Sequence, residues 1–307
     1  MMRTQTVLTS IIFVLAAVPP TLAQGIASPT TSPAAAFPTG VRETGTIGFT
    51  YDTIVVPGAQ TTVVRGINNE NVVVGGYYPD KGFVFSDGSF TTVDPPGASS
   101  EVLGINSLGE LVGTYAGDNG GKNFQGFIYS NGEFSTLIAP RSRTTEAGGI
   151  NDAGTIVGVY LALKNNAYQG FIYSGGSYTT LIFPGAADTQ ANAINNQGEV
   201  VGVYSDSVGN AYSFTYSEGA FQQLVVPGCD QSGAFGINNL GDIVGFCIEG
   251  RDTIGYLYKN GAFSFLSFPG AVGVQAFGVN DADEIVGYYA PPGTYDVFYG
   301  FRATPAN

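Results

Sequence analysis

The sequence predicts an all-β protein: a six-bladed β-propeller of four-stranded antiparallel blades, its ring closed by an N-terminal outer strand that joins the C-terminal blade. Three observations carry this. The stretch Gly236-Ile-Asn-Asn-Leu-Gly-Asp-Ile-Val-Gly245 recurs six times, the other copies starting at Gly66, Gly104, Gly149, Ala193 and Gly278. The start-to-start spacings are 38, 45, 44, 43 and 42 residues, a period that marks propellers and solenoids. The composition has 45 Gly, 18 Tyr and 21 Phe among 307 residues, and beyond residue 23 no run shows a 3.6-residue apolar period.

The chain opens differently. Arg3 precedes an apolar run over residues 7–18, which Pro19-Pro20-Thr21-Leu22-Ala23 follows. A basic start, a short apolar core and small residues at Thr21 and Ala23 describe a secretory signal peptide, residues 1–23. The run is short for a bilayer span. Removing Arg3 with the leader leaves ten basic residues against 24 acidic, a net charge of −14. Residues 24–46 are rich in Pro, Ser, Thr and Ala without periodicity and read as a disordered linker. The propeller then occupies 47–307, and the expected location is periplasmic or extracellular.

One copy shows how a blade is written. Ser177-Tyr-Thr-Thr-Leu-Ile-Phe-Pro184 is a β-branched and aromatic strand that stops at the turn pair Pro184-Gly185. Residues 189–194 form a second strand of small residues, and Asn195-Asn196-Gln197-Gly198 is a tight turn. Residues 199–204 and 213–216 supply the third and fourth strands. Thr50-Tyr-Asp-Thr-Ile-Val-Val-Pro57 repeats the Ser177 strand near the start of the chain, whereas the last copy ends at Gly300-Phe301 without one. Complementary ends predict closure, with the 50–57 strand completing the blade built from residues 275–304. Closure removes the exposed sheet edges. The Tyr/Phe strand is then outermost, and the small-residue strand lines the axis.

Composition excludes several chemistries. There is no His, so His-based triads and His-ligated metals are absent. A net charge of −13 repels phosphate backbones and anionic lipid, which argues against nucleic acid and membrane surfaces as partners. A monomer is expected.

The pattern Gly-Ile-Asn-x-x-Gly-x-Ile-Val-Gly-x-Tyr, followed by Gly-Phe-x-Tyr-Ser-x-Gly, resembles the HAF family of extracellular bacterial repeats. The likeness covers residues 48–303. It departs at the eponymous His-Ala-Phe, where this chain has Lys81-Gly-Phe83, Gln125-Gly-Phe127 and Gln169-Gly-Phe171. The resemblance implies an exported, propeller-like protein and brings no catalytic residues with it.

Asn68, Asn106, Asn151, Asn195, Asn238 and Asn280 hold one slot in all six copies. Six amides in a ring can bind a ligand or cation, but each heads a tight turn, which favours capping of its own turn. Asp152, Asp242, Asp281 and Asp283 beside these turns suggest Ca²⁺, yet no copy has the alternating carboxylates of a calcium loop. No cofactor is expected otherwise. Cys229 and Cys247, the only cysteines, replace the Ala of Pro-Gly-Ala and the Tyr of Val-Gly-x-Tyr in one copy. The intervening turn folds these slots towards each other, and in an exported chain they read as a disulfide.

Divergence between copies is where function has room. The loops before Gly-Phe vary, and with the Pro-Gly connections they share one face of the ring, so binding is expected there. The candidates are Asp118, Asn119, Lys122, Arg141, Arg143, Tyr168, Tyr295 and Asp296. Aromatic and polar side chains together suit a sugar. The leading reading is an exported binding module for a cell-surface glycan or an extracytoplasmic protein, without catalysis. A hydrolase or lyase using two carboxylates is a second reading, with Asp118, Glu146, Asp206, Glu249, Asp252 and Asp296 available. A structural matrix protein is a third.

Overall fold

A computed structural model describes residues 48–79, 81–96, 99–116, 123–294 and 297–306. The leader, the linker, and Asp118, Asn119, Lys122, Tyr295 and Asp296 lie outside the described residues. The first strand, β1 (Phe49–Ile54), precedes five complete blades. Blade 1 is β2 (Thr61–Ile67), β3 (Val73–Tyr78), β4 (Lys81–Ser86) and β5 (Ser89–Val93). Blade 2 is β6 (Ser99–Ile105), β7 (Leu111–Ala116), β8 (Phe124–Ser130) and β9 (Glu133–Leu137). Blade 3 is β10 (Ser142–Ile150), β11 (Ile156–Ala162), β12 (Tyr168–Ser174) and β13 (Ser177–Leu181). Blade 4 is β14 (Asp188–Ile194), β15 (Val200–Ser205), β16 (Ala211–Ser217) and β17 (Ala220–Leu224). Blade 5 is β18 (Gln231–Ile237), β19 (Ile243–Glu249), β20 (Asp252–Lys259) and β21 (Ala262–Phe265). Blade 6 takes β22 (Gly273–Val279), β23 (Ile285–Ala290) and β24 (Tyr299–Pro305) from the end of the chain, and β1 from its beginning.

That last sheet closes the ring. β1 pairs antiparallel with β24 from Phe49↔Pro305 to Ile54↔Gly300. The first strand of every blade touches the first strand of the next, and β22 packs on β2. The chain is therefore a six-bladed β-propeller, with β2 buried along its whole length while β5 alternates as an outer strand does. The outer strands are shorter than the sequence suggests. In blade 3 the strand ends at Leu181, because Phe183 already turns and donates its N–H to Thr189 Oγ1 (3.0 Å).

The blade core follows from the Gly-Phe signature. Phe83, Phe127, Phe171, Phe214, Tyr256 and Phe301 occupy one slot and are at most 1% exposed. Each meets an aromatic of its own outer strand edge to face (Phe90, Phe134, Tyr178, Phe221, Phe263 and Tyr51), with ring centroids 5.3–6.0 Å apart. Such pairs contribute about 0.5–1.5 kcal/mol beyond their buried area. The Val-Gly of the repeat makes room for that ring. At Gly158 an added Cβ would lie 2.0 Å from the Glu146 carbonyl oxygen and 2.8 Å from the Phe171 ring.

The repeated Tyr clips the blade on the same face of the sheet as that ring. Its hydroxyl meets an outer-strand Thr in four blades: Tyr77–Thr92, Tyr115–Thr136, Tyr160–Thr180 and Tyr289–Thr53, at 2.8–3.3 Å. Blade 5 has Cys247 in that slot, and a disulfide joins it to Cys229 with a Cα–Cα distance of 5.5 Å. Cys229 sits on the connection from blade 4, so the covalent bond staples that connection to β19.

Candidate functional site

The inner strands meet along the axis at the glycine that opens each repeat. A Cβ at Gly104, Gly149, Gly236 or Gly278 would come within 2.9–3.1 Å of the next strand's Cα, which is why the slot stays small. One residue earlier, every inner strand carries a β-bulge: the register shifts between Val64 and Gly66, and at the matching place in the other five blades. A bulge re-aims its extra side chain. Here the extra residues are Arg65, Leu103, Gly148, Asn192, Phe235 and Phe277, and all six line one cavity of about 60 Å³ at the axis. Glu146 and Gln190 also line it.

The small-residue strand lines the axis as expected, and the bulge brings longer side chains there as well. The bulge gives the long ones space that a regular strand would deny them. The bulge residues stand three positions before each turn Asn, and the cavity extends from them past Glu146, Val159 and Gln190 towards the Pro-Gly connections. The variable loops share that face, as the Leu163 N–H donating to the Arg141 carbonyl (2.9 Å) shows.

Arg65 is the dominant group. Its Nε donates to Glu101 Oε1 at 2.6 Å, both side chains being at most 7% exposed, and its guanidinium lies over the Phe277 ring at 4.6 Å. A buried ion pair of this kind must offset the cost of desolvating both charges. Yet Arg65 Nη1 is buried without a hydrogen-bond partner, and so is Gln190 Nε2. Asn192, by contrast, is engaged: its Nδ2 donates to the Ala234 carbonyl (2.8 Å) in the next blade. Tyr288 lies behind Arg65, with its hydroxyl donating to Gln275 Oε1 (2.8 Å). Loss of solvation pushes its phenol up to about 12, opposed by the charge of Arg65 and assisted by that of Glu101.

The sequence-level candidates divide. Arg141 and Arg143 are exposed at the start of β10, Arg141 with φ 60°. Tyr168 is half-buried, and its N–H donates to Asp188 Oδ1 (2.7 Å). Burial raises its phenol pKa, and the charges of Glu146 and Asp188 raise it further, which ties this first residue of β12 electrostatically to the cavity wall. Of the carboxylates named for hydrolysis, Glu146 lines the cavity. Asp206 caps its own loop through the N–H groups of Val208 and Asn210. Glu249 and Asp252 face each other across the β19–β20 hairpin.

At the opposite mouth the six asparagines do more than cap. Asn195 Oδ1 accepts from the N–H groups of Gln197 and Glu199, as expected. Its Nδ2 also donates to the Asn238 carbonyl of the next blade (3.2 Å). The same step links Asn68 to Asn106, Asn106 to Asn151, Asn151 to Asn195, Asn238 to Asn280, and Asn280 back to Asn68, at 3.1–3.3 Å. The amides form a closed belt and are spent on the fold. No cluster of three or more His, Cys, Asp or Glu suited to a metal occurs among the described residues.

No family model and no curated protein matches the sequence. Solved structures share the architecture. A mutant of AofleA from Arthrobotrys oligospora is 13% identical with a TM-score of 0.51, the match covering 88% of this chain and 96% of that one. The fungal lectin of Aleuria aurantia, described as a six-bladed β-propeller with a novel fucose recognition mode, is 12% identical with a TM-score of 0.50 (80% and 93% covered). A Hadza microbial sialidase is 10% identical with a TM-score of 0.51, and there the match covers 80% of this chain and 66% of that one. At these identities the likeness establishes the fold.

Proposed function

We propose that the chain is an exported binding module that holds part of a cell-surface glycan or an extracytoplasmic protein in its axial cavity. The observation that carries this is the axial cavity itself, walled by Arg65 and Gln190, residues that each keep one buried donor without a partner (Nη1 and Nε2). A buried N–H without a partner costs about 1–3 kcal/mol, and such costs persist where a ligand supplies the partner. Export rests on the leader-like residues 1–23 and on the disulfide, which suits an oxidising compartment. The HAF resemblance points the same way. Binding is favoured over two-carboxylate hydrolysis because, among the described residues, Glu146 is the one acid named for that chemistry that lines the cavity.

The test is a glycan array and a cell-envelope pull-down with three proteins: wild type, Gln190→Leu, and the rim variant Arg141→Ser/Arg143→Ser. Binding that disappears in Gln190→Leu and survives in the rim variant supports the cavity. Binding lost only in the rim variant moves the site to the loops.

A further inference from the structure

We infer that the variable-face end of blade 3 is a docking surface for a segment of another protein that carries acidic and aliphatic side chains. The surface is separate from the axial cavity. It centres on Arg141, which takes the slot that glycine holds in the matching connections. Gly58, Gly185, Gly228 and Gly270 stand there with φ between 78° and 82°, and Arg141 keeps the same left-handed conformation at φ 60°. A residue with a Cβ is disfavoured in that region, whereas glycine is not. The fold itself does not call for arginine here, and strain of this kind collects at functional positions.

Two further cations stand beside it. Arg143 lies in a second bulge of β10, between Ser142 and Thr145, that the other five inner strands lack. Lys164 follows Leu163, whose N–H donates to the Arg141 carbonyl (2.9 Å). All three cations are exposed, and among the described residues none of them forms an ion pair, whereas Arg65, Lys81 and Lys259 each pair with an acid. From residue 134 to 187 the chain carries two acids: Glu146, buried in β10, and Asp152, at the opposite mouth. The next acid, Asp188, accepts from the Tyr168 N–H and the Ser205 hydroxyl. Blade 3 therefore presents a cationic end on a chain of net charge −13.

The chemistry of the patch selects its partner. Guanidinium groups pair bidentately with carboxylates, so the occupant is acidic. It is also local. A bilayer of anionic lipid would meet Asp206, Asp230 and Asp252 at the same end of blades 4 and 5 and be repelled there, whereas a short acidic segment touches blade 3 alone. Ile138 and Leu163, each 54% exposed, place aliphatic surface among the cations. The rings of Tyr168 and Phe183 are half-buried, so the patch offers aliphatic side chains rather than open aromatic faces. That suits the apolar side chains of a peptide better than a hydrated acidic polysaccharide.

The experiment is fluorescence anisotropy of the purified protein with short labelled peptides, one alternating Glu and Leu, one alternating Glu and Ser, and one alternating Lys and Leu. Polygalacturonate and phosphatidylglycerol vesicles are run as competitors of the first. The variants are Arg141→Gly/Arg143→Ser, Lys164→Ser and, as a control for charge alone, Arg251→Ser in the blade 5 hairpin. Arg141→Gly restores the residue of the other connections, so the double variant should melt close to or above wild type. The expected result is that the Glu–Leu peptide binds more tightly than the Glu–Ser peptide and the Lys–Leu peptide does not bind. Glu–Leu binding should weaken about fivefold or more in the double variant, about twofold in Lys164→Ser, and little in Arg251→Ser. It should also weaken as salt rises from about 0.1 M to about 1 M. Absence of Glu–Leu binding, binding that the double variant leaves unchanged, or an equal loss in Arg251→Ser overturns the inference. Polygalacturonate or vesicles that bind more tightly than the peptide, through the same arginines, overturn the protein partner.

Discussion

Gln190→Leu should make the ligand-free protein more stable. The side chain is 4% exposed, it lines the axial cavity, and its Nε2 has no partner. Leucine has a similar volume and no polar atom. The substitution therefore removes a desolvated, unpaired donor while keeping the wall filled, and an unsatisfied buried group costs about 1–3 kcal/mol. Allowing for imperfect packing of the branched side chain, we expect a gain of about 1–2 kcal/mol. At roughly 2–4 °C per kcal/mol for a fold of this size, the melting temperature should rise by a few degrees. The assay is a urea melt followed by tyrosine fluorescence and circular dichroism, read as a shift in midpoint at constant slope. A loss exceeding about 1 kcal/mol would show that the folded chain already satisfies the amide, and the cavity would then lack one of the two donors that mark it as a site.

Four further outcomes follow from the geometry. Arg65→Met should cost about 3–5 kcal/mol by removing the cation beside the buried Glu101 carboxylate, and adding Glu101→Leu should recover most of that loss; both are read in denaturant melts as a double-mutant cycle. Asn195→Ala removes two capping bonds, a bond to Glu199 Oε2 and the donation to Asn238, so a loss of about 2–4 kcal/mol is expected in the same melts. Reducing the Cys229–Cys247 bond, which spans 18 residues, should lower stability by about 3 kcal/mol, measured by melts with and without a reductant. Burial raises the phenols of Tyr178, Tyr204 and Tyr288 from 10.0 to about 12, so the folded chain holds these protons more tightly than the unfolded one. Stability should be full below pH 10 and fall as the pH rises towards 12, and Tyr288→Phe should flatten that fall.

The fold was readable because its constraints are local and repeated. Pro-Gly ends an outer strand in five of the six copies and Asn-x-x-Gly turns a hairpin in four, Asn71 and Asp283 standing for the glycine in the others, and the strand at Thr50 fills the slot that the copy ending at Phe301 leaves empty. The belt of asparagines was only half readable. The capping role belongs to one turn, but the donation from Asn195 to Asn238 joins residues 43 apart and needs the assembled ring. The axial cavity is not legible in the loop lengths. Its signal lay in the column before the repeat glycine, where Arg65, Leu103, Gly148, Asn192, Phe235 and Phe277 differ while the residues on either side stay small or aliphatic. Nothing in the sequence marks the bulge that turns that column towards the axis. Without it, Arg65 and Phe277 read as strand residues of no common purpose.

The most direct measurement compares wild type and Gln190→Leu on the same glycan array and envelope pull-down, with their melts recorded alongside. Loss of every specific signal in a variant that melts at or above wild type would place recognition in the axial cavity. Undiminished binding by that variant would contradict it, and would return the search to the loops around Arg141 and Tyr168.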